Sequence, residues 1–209
     1  MLDELVIVGS GGMGRETLVL ANRINQSKES WSFIGFVDNQ DGDGVVGNDE
    51  WLMAREKKTA VAIAVGSSEL RNKLYHKYKE NKNIVFPNLI DPDVIVGDES
   101  VVFGEGNIVC AGSIITTNVQ IGNFNIINLN CTISHDSVIG DFVTISMGCN
   151  LSGNTVVNDL TEIGTGTQVI QGKKIGRNSI IGAGSVVIRD IGDFVTVVGV
   201  PGQVIKVGR

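Results

Sequence analysis

A six-residue repeat dominates the second half of this 209-residue chain. Counted from position 109, every sixth residue is a branched aliphatic: Val109, Ile115, Ile121, Ile127, Ile133, Ile139, Ile145, Leu151, Val157, Ile163, Val169, Ile175, Ile181 and Val187. A period of six fits neither an amphipathic helix, with a period of 3.6, nor a two-sided strand, with a period of 2. It is typical of a short strand and a turn repeated many times, and it predicts a β-solenoid.

The residues between the aliphatics support this prediction. Three positions after an aliphatic the chain often carries Gly, Asn or Asp, which tolerate the left-handed backbone of a tight corner. These residues are Asn130, Asp136, Gly148, Asn154, Gly166, Gly172, Asn178 and Gly184. Three faces would make a triangular coil of about 18 residues, and coils would stack at about 4.8 Å. The segment 94–191 then has room for about five coils.

Residues that lie one coil apart should form a column in such a solenoid. Cys131, Cys149, Thr167 and Ser185 form one column and are all small, as a tight inward corner requires. We therefore interpret the three cysteines, including Cys110, as corner fillers rather than reactive thiols.

The first ninety residues show a different pattern. We expect strands at 5–8, 33–37, 60–65 and 83–86, with helices at 15–24 and 68–79. This β-α-β alternation predicts a parallel sheet with helices on its faces. The predicted domains are 1–90 and 91–209.

A glycine-rich loop, Gly9-Ser10-Gly11-Gly12-Met13-Gly14, joins the first strand to the first helix. Such a loop allows backbone N–H groups to approach a phosphate, and Asp38, at the end of the second strand, could take ribose hydroxyls. A nicotinamide-binding domain is an alternative, although only one mononucleotide-binding half is present. The glycines could also serve only a tight turn. We favour binding of a nucleotide diphosphate or a similar anion.

Composition excludes several classes of partner. The net charge is −6 and the basic residues are scattered, so we expect no nucleic-acid binding. No apolar stretch approaches membrane-spanning length, and the acidic start is unlike a signal peptide. Three cysteines without metal-ligand spacing suit a reducing compartment and predict no metal site. We expect a soluble, cytoplasmic protein.

Particular segments of both halves resemble a known family. The hexads at 139–144 and 181–186 are similar to those of hexapeptide-repeat acyltransferases. With the loop at 9–16, the Gly-Phe-Val-Asp segment at 35–38 and the Ala-Val-Gly-Ser segment at 64–67, the chain resembles the sialic-acid O-acetyltransferase / nucleotide-aminosugar N-acetyltransferase family. The resemblance implies a left-handed β-helix, a homotrimer, and acetyl-coenzyme A bound between neighbouring subunits.

The resemblance also implies the site residues. His135 matches the catalytic base and Asp136 the neighbouring acid. Histidine suits proton removal from an attacking acceptor because its unperturbed pKa lies near neutrality. His76, the other histidine, lies on a charged helical surface. The implied substrate-binding residues are Gly11, Gly12, Met13, Asp38 and Gly66. The implied cofactor-binding residues are Thr144, Gly153, Thr165, Ala183, Gly199 and Pro201. Members of the family often carry His where this chain has Met13 and Thr144.

Gly153 lies one coil beyond His135 in the expected column. We predict that its missing side chain leaves space beside the base for the thioester end of coenzyme A.

The expected reaction is acetyl transfer to the amine of a nucleotide-linked 4-amino-sugar, for bacterial surface glycan synthesis. O-acetylation of sialic acid or another sugar hydroxyl is a close second. A nicotinamide-dependent reductase and a non-catalytic solenoid scaffold remain further alternatives.

Overall fold

The computed structural model describes residues 3–208, and the first part of them forms a five-stranded parallel sheet flanked by helices. Its elements are β1 (Asp3–Val8), α1 (Gly12–Ser27), β2 (Trp31–Val37), β3 (Val45–Gly47), α2 (Asp49–Met53), β4 (Thr59–Ile63), α3 (Ser68–Tyr78) and β5 (Ile84–Val85). The strand order is β3-β2-β1-β4-β5, and every pair is parallel. We call residues 3–86 the α/β unit. Its Rossmann-like architecture confirms the predicted alternation of strands and helices.

The sequence prediction missed β3 and α2, which lie between the second and third predicted strands. A local signal for α2 is present. The side chain of Asn48 accepts hydrogen bonds from the backbone N–H groups of Glu50 and Trp51, and Asp49 and Glu50 lie in the first turn. These features stabilise a helix N-terminus.

The rest of the chain is a left-handed parallel β-helix, as predicted. Its strands are β6 (Leu89–Ile90), β7 (Ile95–Val96), β8 (Val102–Phe103), β9 (Ile108–Val109), β10 (Ile114–Ile115), β11 (Gln120–Ile121), β12 (Ile126–Ile127), β13 (Thr132–Ile133), β14 (Val138–Ile139), β15 (Thr144–Ile145), β16 (Asn150–Leu151), β17 (Val156–Val157), β18 (Glu162–Ile163), β19 (Gln168–Val169), β20 (Lys174–Ile175), β21 (Ile180–Ile181), β22 (Val186–Val187), β23 (Val195–Val198) and β24 (Gln203–Val207). They form three sheets, one on each face of the prism. The first coils begin earlier than expected, at β6, and β24 closes the end by pairing antiparallel with β23.

The six-residue repeat forms the core of the β-helix. All the aliphatic residues of the repeat lie in one buried cluster, and none is more than 3% exposed. Partners in neighbouring coils are separated by three repeats, as in the pairing of Ile115 with Ile133. Each predicted corner residue, from Asn130 to Gly184, has a positive φ. The spacing of apolar residues therefore specifies both the inward face and the stacking.

The cysteine prediction is confirmed for two residues and wrong for the third. Cys131 and Cys149 are fully buried in the same interior column as Thr167 and Ser185. Cys110 instead lies on the outside of the prism, in the cluster formed with α1. It is buried because the α/β unit covers this face, and burial raises the pKa of its thiol to about 12.

The α/β unit packs against the β-helix over one face and one corner. Ile108 and Ile126 point outward from the prism and are buried in the same cluster as residues of β1 and α1. At the corner, Phe124 and Phe142 stack with their ring planes 6° apart. Tyr75 of α3 contacts the Phe124 ring at 4.3 Å between centroids. None of the helices within residues 3–208 is long and apolar enough to span a membrane.

Candidate active site

His135 and Asp136 form a hydrogen-bonded pair at an exposed corner of the β-helix. The His135 Nδ1 atom lies 2.8 Å from Asp136 Oδ2, and about half of each side chain is exposed. Asp136 has a φ of 59°, which turns the chain sharply after β13. Because a carboxylate only accepts hydrogen bonds, this contact favours the imidazole tautomer with its proton on Nδ1. The Nε2 lone pair is then available to accept a proton.

Gly153 lies directly beneath the His135 ring. A Cβ atom built on Gly153 would overlap His135 at Cε1 and Nε2. The ring itself therefore occupies the space above this glycine, and the expectation that Gly153 leaves that space open is wrong. The missing side chain allows the imidazole to lie flat against the next coil, so Gly153 sets the position of the ring.

The glycine-rich loop of the α/β unit contains two kinds of glycine. Gly9 has a φ of 98°, and a Cβ on Gly14 would overlap the carbonyl oxygen of Gly9, so both are required by the fold. Gly11 and Gly12 are exposed, and a Cβ on either would meet nothing within 4 Å. The fold of the isolated chain therefore does not require glycine at positions 11 and 12.

The N-terminus of α1 begins at these two open glycines. No side chain caps it, and its first turn contains no acidic residue. Its first backbone N–H groups are consequently available to an anion.

Asp38 binds the glycine-rich loop, and Met13 is a residue of that loop. Asp38 Oδ2 accepts hydrogen bonds from the backbone N–H and the hydroxyl of Ser10, both at 2.8 Å, and its Oδ1 accepts one from Gln40. The hydrogen bond from the Ser10 backbone is the main reason that the pKa of Asp38 lies below its ordinary value. Met13 is half-buried against the core of the α/β unit. Asp38 and the adjoining Asn39 line a cleft at the carboxyl ends of β1 and β2.

Arg71, which the sequence analysis did not select, connects this unit to the β-helix. It is fully buried and lies on α3. Its guanidinium donates to the carbonyl oxygens of Val65 at 2.6 Å, Phe124 at 2.7 Å and Phe142 at 3.0 Å. Burial lowers its pKa to about 10. Arg71 therefore stays charged near neutral pH while satisfying carbonyl groups of both units.

Two predicted site residues belong to this junction. Thr144 Oγ1 donates to the carbonyl of Gly66 at 2.9 Å and accepts a hydrogen bond from Arg71 at 2.9 Å. The structure thus brings Thr144 of the predicted cofactor group together with Gly66 of the predicted substrate group.

Comparisons with known proteins show which family the chain belongs to. The PglD N-terminal domain family model matches residues 4–78. PerB from Caulobacter crescentus, solved in complex with CoA and GDP-perosamine, is 33% identical, with a TM-score of 0.88 and 99% of each chain covered. The chain belongs to the hexapeptide-repeat sugar acetyltransferases. This confirms the resemblance seen in the sequence.

Two further solved structures match the chain almost end to end. The acetyltransferase domain of PglB from Neisseria gonorrhoeae, solved with acetyl coenzyme A, is 29% identical with a TM-score of 0.88, covering 98% of this chain and 100% of that one. WeeI from Acinetobacter baumannii gives the same identity, score and coverage. A comparison with curated protein sequences gives no significant match.

The remaining predicted cofactor residues of this acetyltransferase lie along another corner. Thr165 and Ala183 lie one coil apart, and β21 pairs with β23 so that Gly199 continues the same column. Thr165, Ala183, Gly199 and Pro201 are all exposed. His135 and Gly153 lie on the next corner, after the β13–β16 sheet. The structure therefore groups four of the six predicted cofactor residues on one ridge. No cluster of His, Cys, Asp and Glu side chains in the described part of the chain could hold a metal ion.

Proposed function

We propose that this acetyltransferase uses acetyl-coenzyme A to acetylate the amine of a nucleotide-linked amino-sugar, with His135 as the general base. The observation that carries the proposal is the His135–Asp136 pair, in which Nδ1 faces the carboxylate and about half of each side chain is exposed at a corner. End-to-end similarity to an enzyme solved with CoA and GDP-perosamine supports the substrate class.

The direction of proton transfer follows from the His135 tautomer that carries its proton on Nδ1. Asp136 holds Nδ1–H, so His135 Nε2 takes the proton of the amine as the nitrogen attacks the acetyl carbon. Asp136 stabilises the imidazolium by its charge, as the acid does in other His–acid pairs. The carbon–sulfur bond of the thioester then breaks, and the imidazolium gives its proton to the leaving coenzyme A thiolate, which is released as the thiol. Acetyl-coenzyme A supplies an already activated acyl group, so no covalent enzyme intermediate is needed.

The ridge of small exposed residues suits the coenzyme. Thr165, Ala183 and Gly199 present little side chain, which lets an extended ligand approach the backbone of successive coils. We assign this ridge, with Pro201, to acetyl-coenzyme A. Gly153 acts at the reacting end by seating the base, and Thr144 acts at the junction of the two units.

We assign the nucleotide-sugar to the α/β unit. Gly11 and Gly12 are open although the fold does not require glycine there, and the α1 N-terminus is uncapped. A diphosphate would use these N–H groups, and Asp38 and Gly66 lie at the same carboxyl edge of the sheet. In this proposal the α/β unit binds the nucleotide-sugar and the β-helix, which begins at β6, carries the coenzyme and the base.

We also propose a homotrimer. Two faces of the prism are not covered by the α/β unit, and they expose Ile95, Val102, Ile114 and Val138, each by more than a third. Packing these faces against other copies would bury apolar surface. It would also bring the His135 corner of one subunit towards the coenzyme ridge of another. Light scattering on the purified protein should give a trimer mass, and a fully active monomer would contradict this assembly.

Assays with a set of candidate sugar substrates test the proposed reaction directly. The purified protein should release thiol from acetyl-coenzyme A with UDP- or GDP-linked 4-amino-sugars, and mass spectrometry should find the acetyl group on the amine. Free and CMP-activated sialic acid form the second arm. Transfer only to sialic acid would replace the amine by a hydroxyl acceptor. Thiol release with none of these sugars would favour a non-catalytic scaffold.

We place the protein in the cytoplasm, because its three cysteines are all free and buried rather than paired.

A further inference from the structure

Asn118 lies one coil before Asp136 and contacts the oxygen that His135 does not use. Its Nδ2 atom is 2.6 Å from Asp136 Oδ1, while Asp136 Oδ2 faces His135 Nδ1 at 2.8 Å. The carboxylate can only accept, so the amide must present its NH2 group to it. Asp136 is therefore held at both oxygens, by the base on one side and by Asn118 on the other.

Asn118 is itself held by the coil before it. Its backbone N–H donates to Ser100 Oγ at 2.6 Å, and its φ of 51° places it in the left-handed turn region. Ser100 and Thr117 both donate to Asp98, the other charged group in this chain of contacts. A continuous polar row thus runs over three coils, from Asp98 through Asn118 to the His135–Asp136 pair.

We infer that Asn118 is a positioning residue for the base: it fixes the rotation of the Asp136 carboxylate, and thereby the tautomer and orientation of His135. This inference rests on the proposed function for its catalytic consequence. Outer hydrogen bonds of this kind orient the group that touches the substrate. The contacts from His135 and then from Asn118 also hold the pKa of Asp136 below its ordinary value.

Two substitutions separate positioning from turn formation. Asn118→Gly keeps the left-handed turn and removes the amide, whereas Asn118→Asp keeps the shape, removes the donor and places a negative charge beside Asp136. We expect Asn118→Gly to lower kcat by about tenfold with little change in KM, and Asn118→Asp to lower it further. Both variants should keep the thermal midpoint of the wild type.

Asn178→Gly is the matched control, because Asn178 has a φ of 51° at the third corner of the prism and its Nδ2 atom also donates to a carboxylate, that of Glu69, at 3.3 Å. It should match the wild type in kcat. Wild-type kcat in both Asn118 variants would overturn the inference. So would an equal fall in all three variants that tracks a loss of thermal stability.

A measurement without substrate keeps the inference testable if the protein transfers no acetyl group. The chain has only two histidines, so nitrogen-15 spectra of histidine-labelled protein can be assigned with a His76→Gln variant. At a pH high enough that the His135 nitrogen shifts no longer change, we expect His135 to carry its proton on Nδ1 in the wild type. Asn118→Gly should shift part of the population to the Nε2–H tautomer. Identical spectra would refute the positioning role, whatever the assays show.

Discussion

In the β-helix, each strand away from the two ends pairs with the equivalent strands of the coils before and after it, whereas in the α/β unit the strands that pair are separated by irregular lengths. Ile133 pairs with Ile115 and Leu151, but β1 lies between β2 and β4, with the helix α1 in the first connection. The difference teaches that periodic spacing fixes architecture directly, because a residue's neighbours follow from its position in the repeat. The α/β unit depends on contacts that no period describes, and the site uses both kinds of region.

The largest expected effect tests the β-helix side of this comparison. His135→Ala removes the proposed base, so we expect turnover to fall by at least about 10²-fold while the thermal midpoint stays unchanged. His76→Ala is the control, since His76 is exposed on α3. Steady-state thiol release measures both. Near-normal turnover in His135→Ala would remove this residue from the mechanism.

The next effect tests the junction between the two regions. Arg71→Met leaves buried carbonyl groups of both units without their donor, so we expect a loss of about 3 kcal/mol in the free energy of unfolding. Arg177→Met is the control, because Arg177 is exposed and lies over the Phe194 ring. Denaturant titration compares the two variants. Equal stability would mean that Arg71 does not hold the units together.

Gly153→Ala tests whether Gly153 sets the position of the His135 ring. The added Cβ would overlap His135 at Cε1 and Nε2, so the imidazole must move, and we expect kcat to fall by about tenfold. Gly192→Ala serves as the control because a Cβ there meets nothing within 4 Å. A crystal structure of Gly153→Ala with the ring unmoved would contradict the explanation.

Gly12→Ala tests the open glycines of the α/β unit, because we expect it to stabilise the fold but to weaken binding of the nucleotide-sugar. Ala favours helix over Gly and meets no atom here, so stability should rise by about 0.5 kcal/mol. The new methyl group would hinder a diphosphate at the α1 N-terminus, so KM for the nucleotide-sugar should rise about fivefold. Gly14→Ala, by contrast, should destabilise the fold. An unchanged KM in Gly12→Ala would assign the nucleotide elsewhere.

The smallest effect concerns an ion pair between the units. Arg23 donates to the buried Asp91 at 2.6 Å. Burial would raise the pKa of Asp91, but hydrogen bonds from Arg23 and from the backbone N–H of Asp93 outweigh it and leave the pKa below its ordinary value.

The stabilisation from this pair is therefore present above the unfolded pKa of about 3.9, and it is lost as the pH falls through the folded pKa. Asp91→Asn should cost about 0.5 kcal/mol at pH 7. The difference from the wild type should disappear in strong acid. A difference that does not depend on pH would show that charge is not involved.

Much of the site could be predicted because it lies on the periodic region. His135 and Asp136 are consecutive in the sequence, and their position at a corner follows from the repeat. Arg71 could not be found in this way, because its partners Phe124 and Phe142 are remote in sequence and belong to the other unit. Asn118 was detectable in principle, since it stands one coil before Asp136 in the same turn position.

The sequence by itself determined the β-helix, its inward face and the corner that carries the histidine, because a six-residue period leaves one way to bury the aliphatic side chains. Only the tertiary structure decided how the α/β unit docks and which glycines the fold requires. It also decided what lies above Gly153. Those outcomes depend on distances between atoms that are far apart in the chain, and no local pattern of residues encodes such distances.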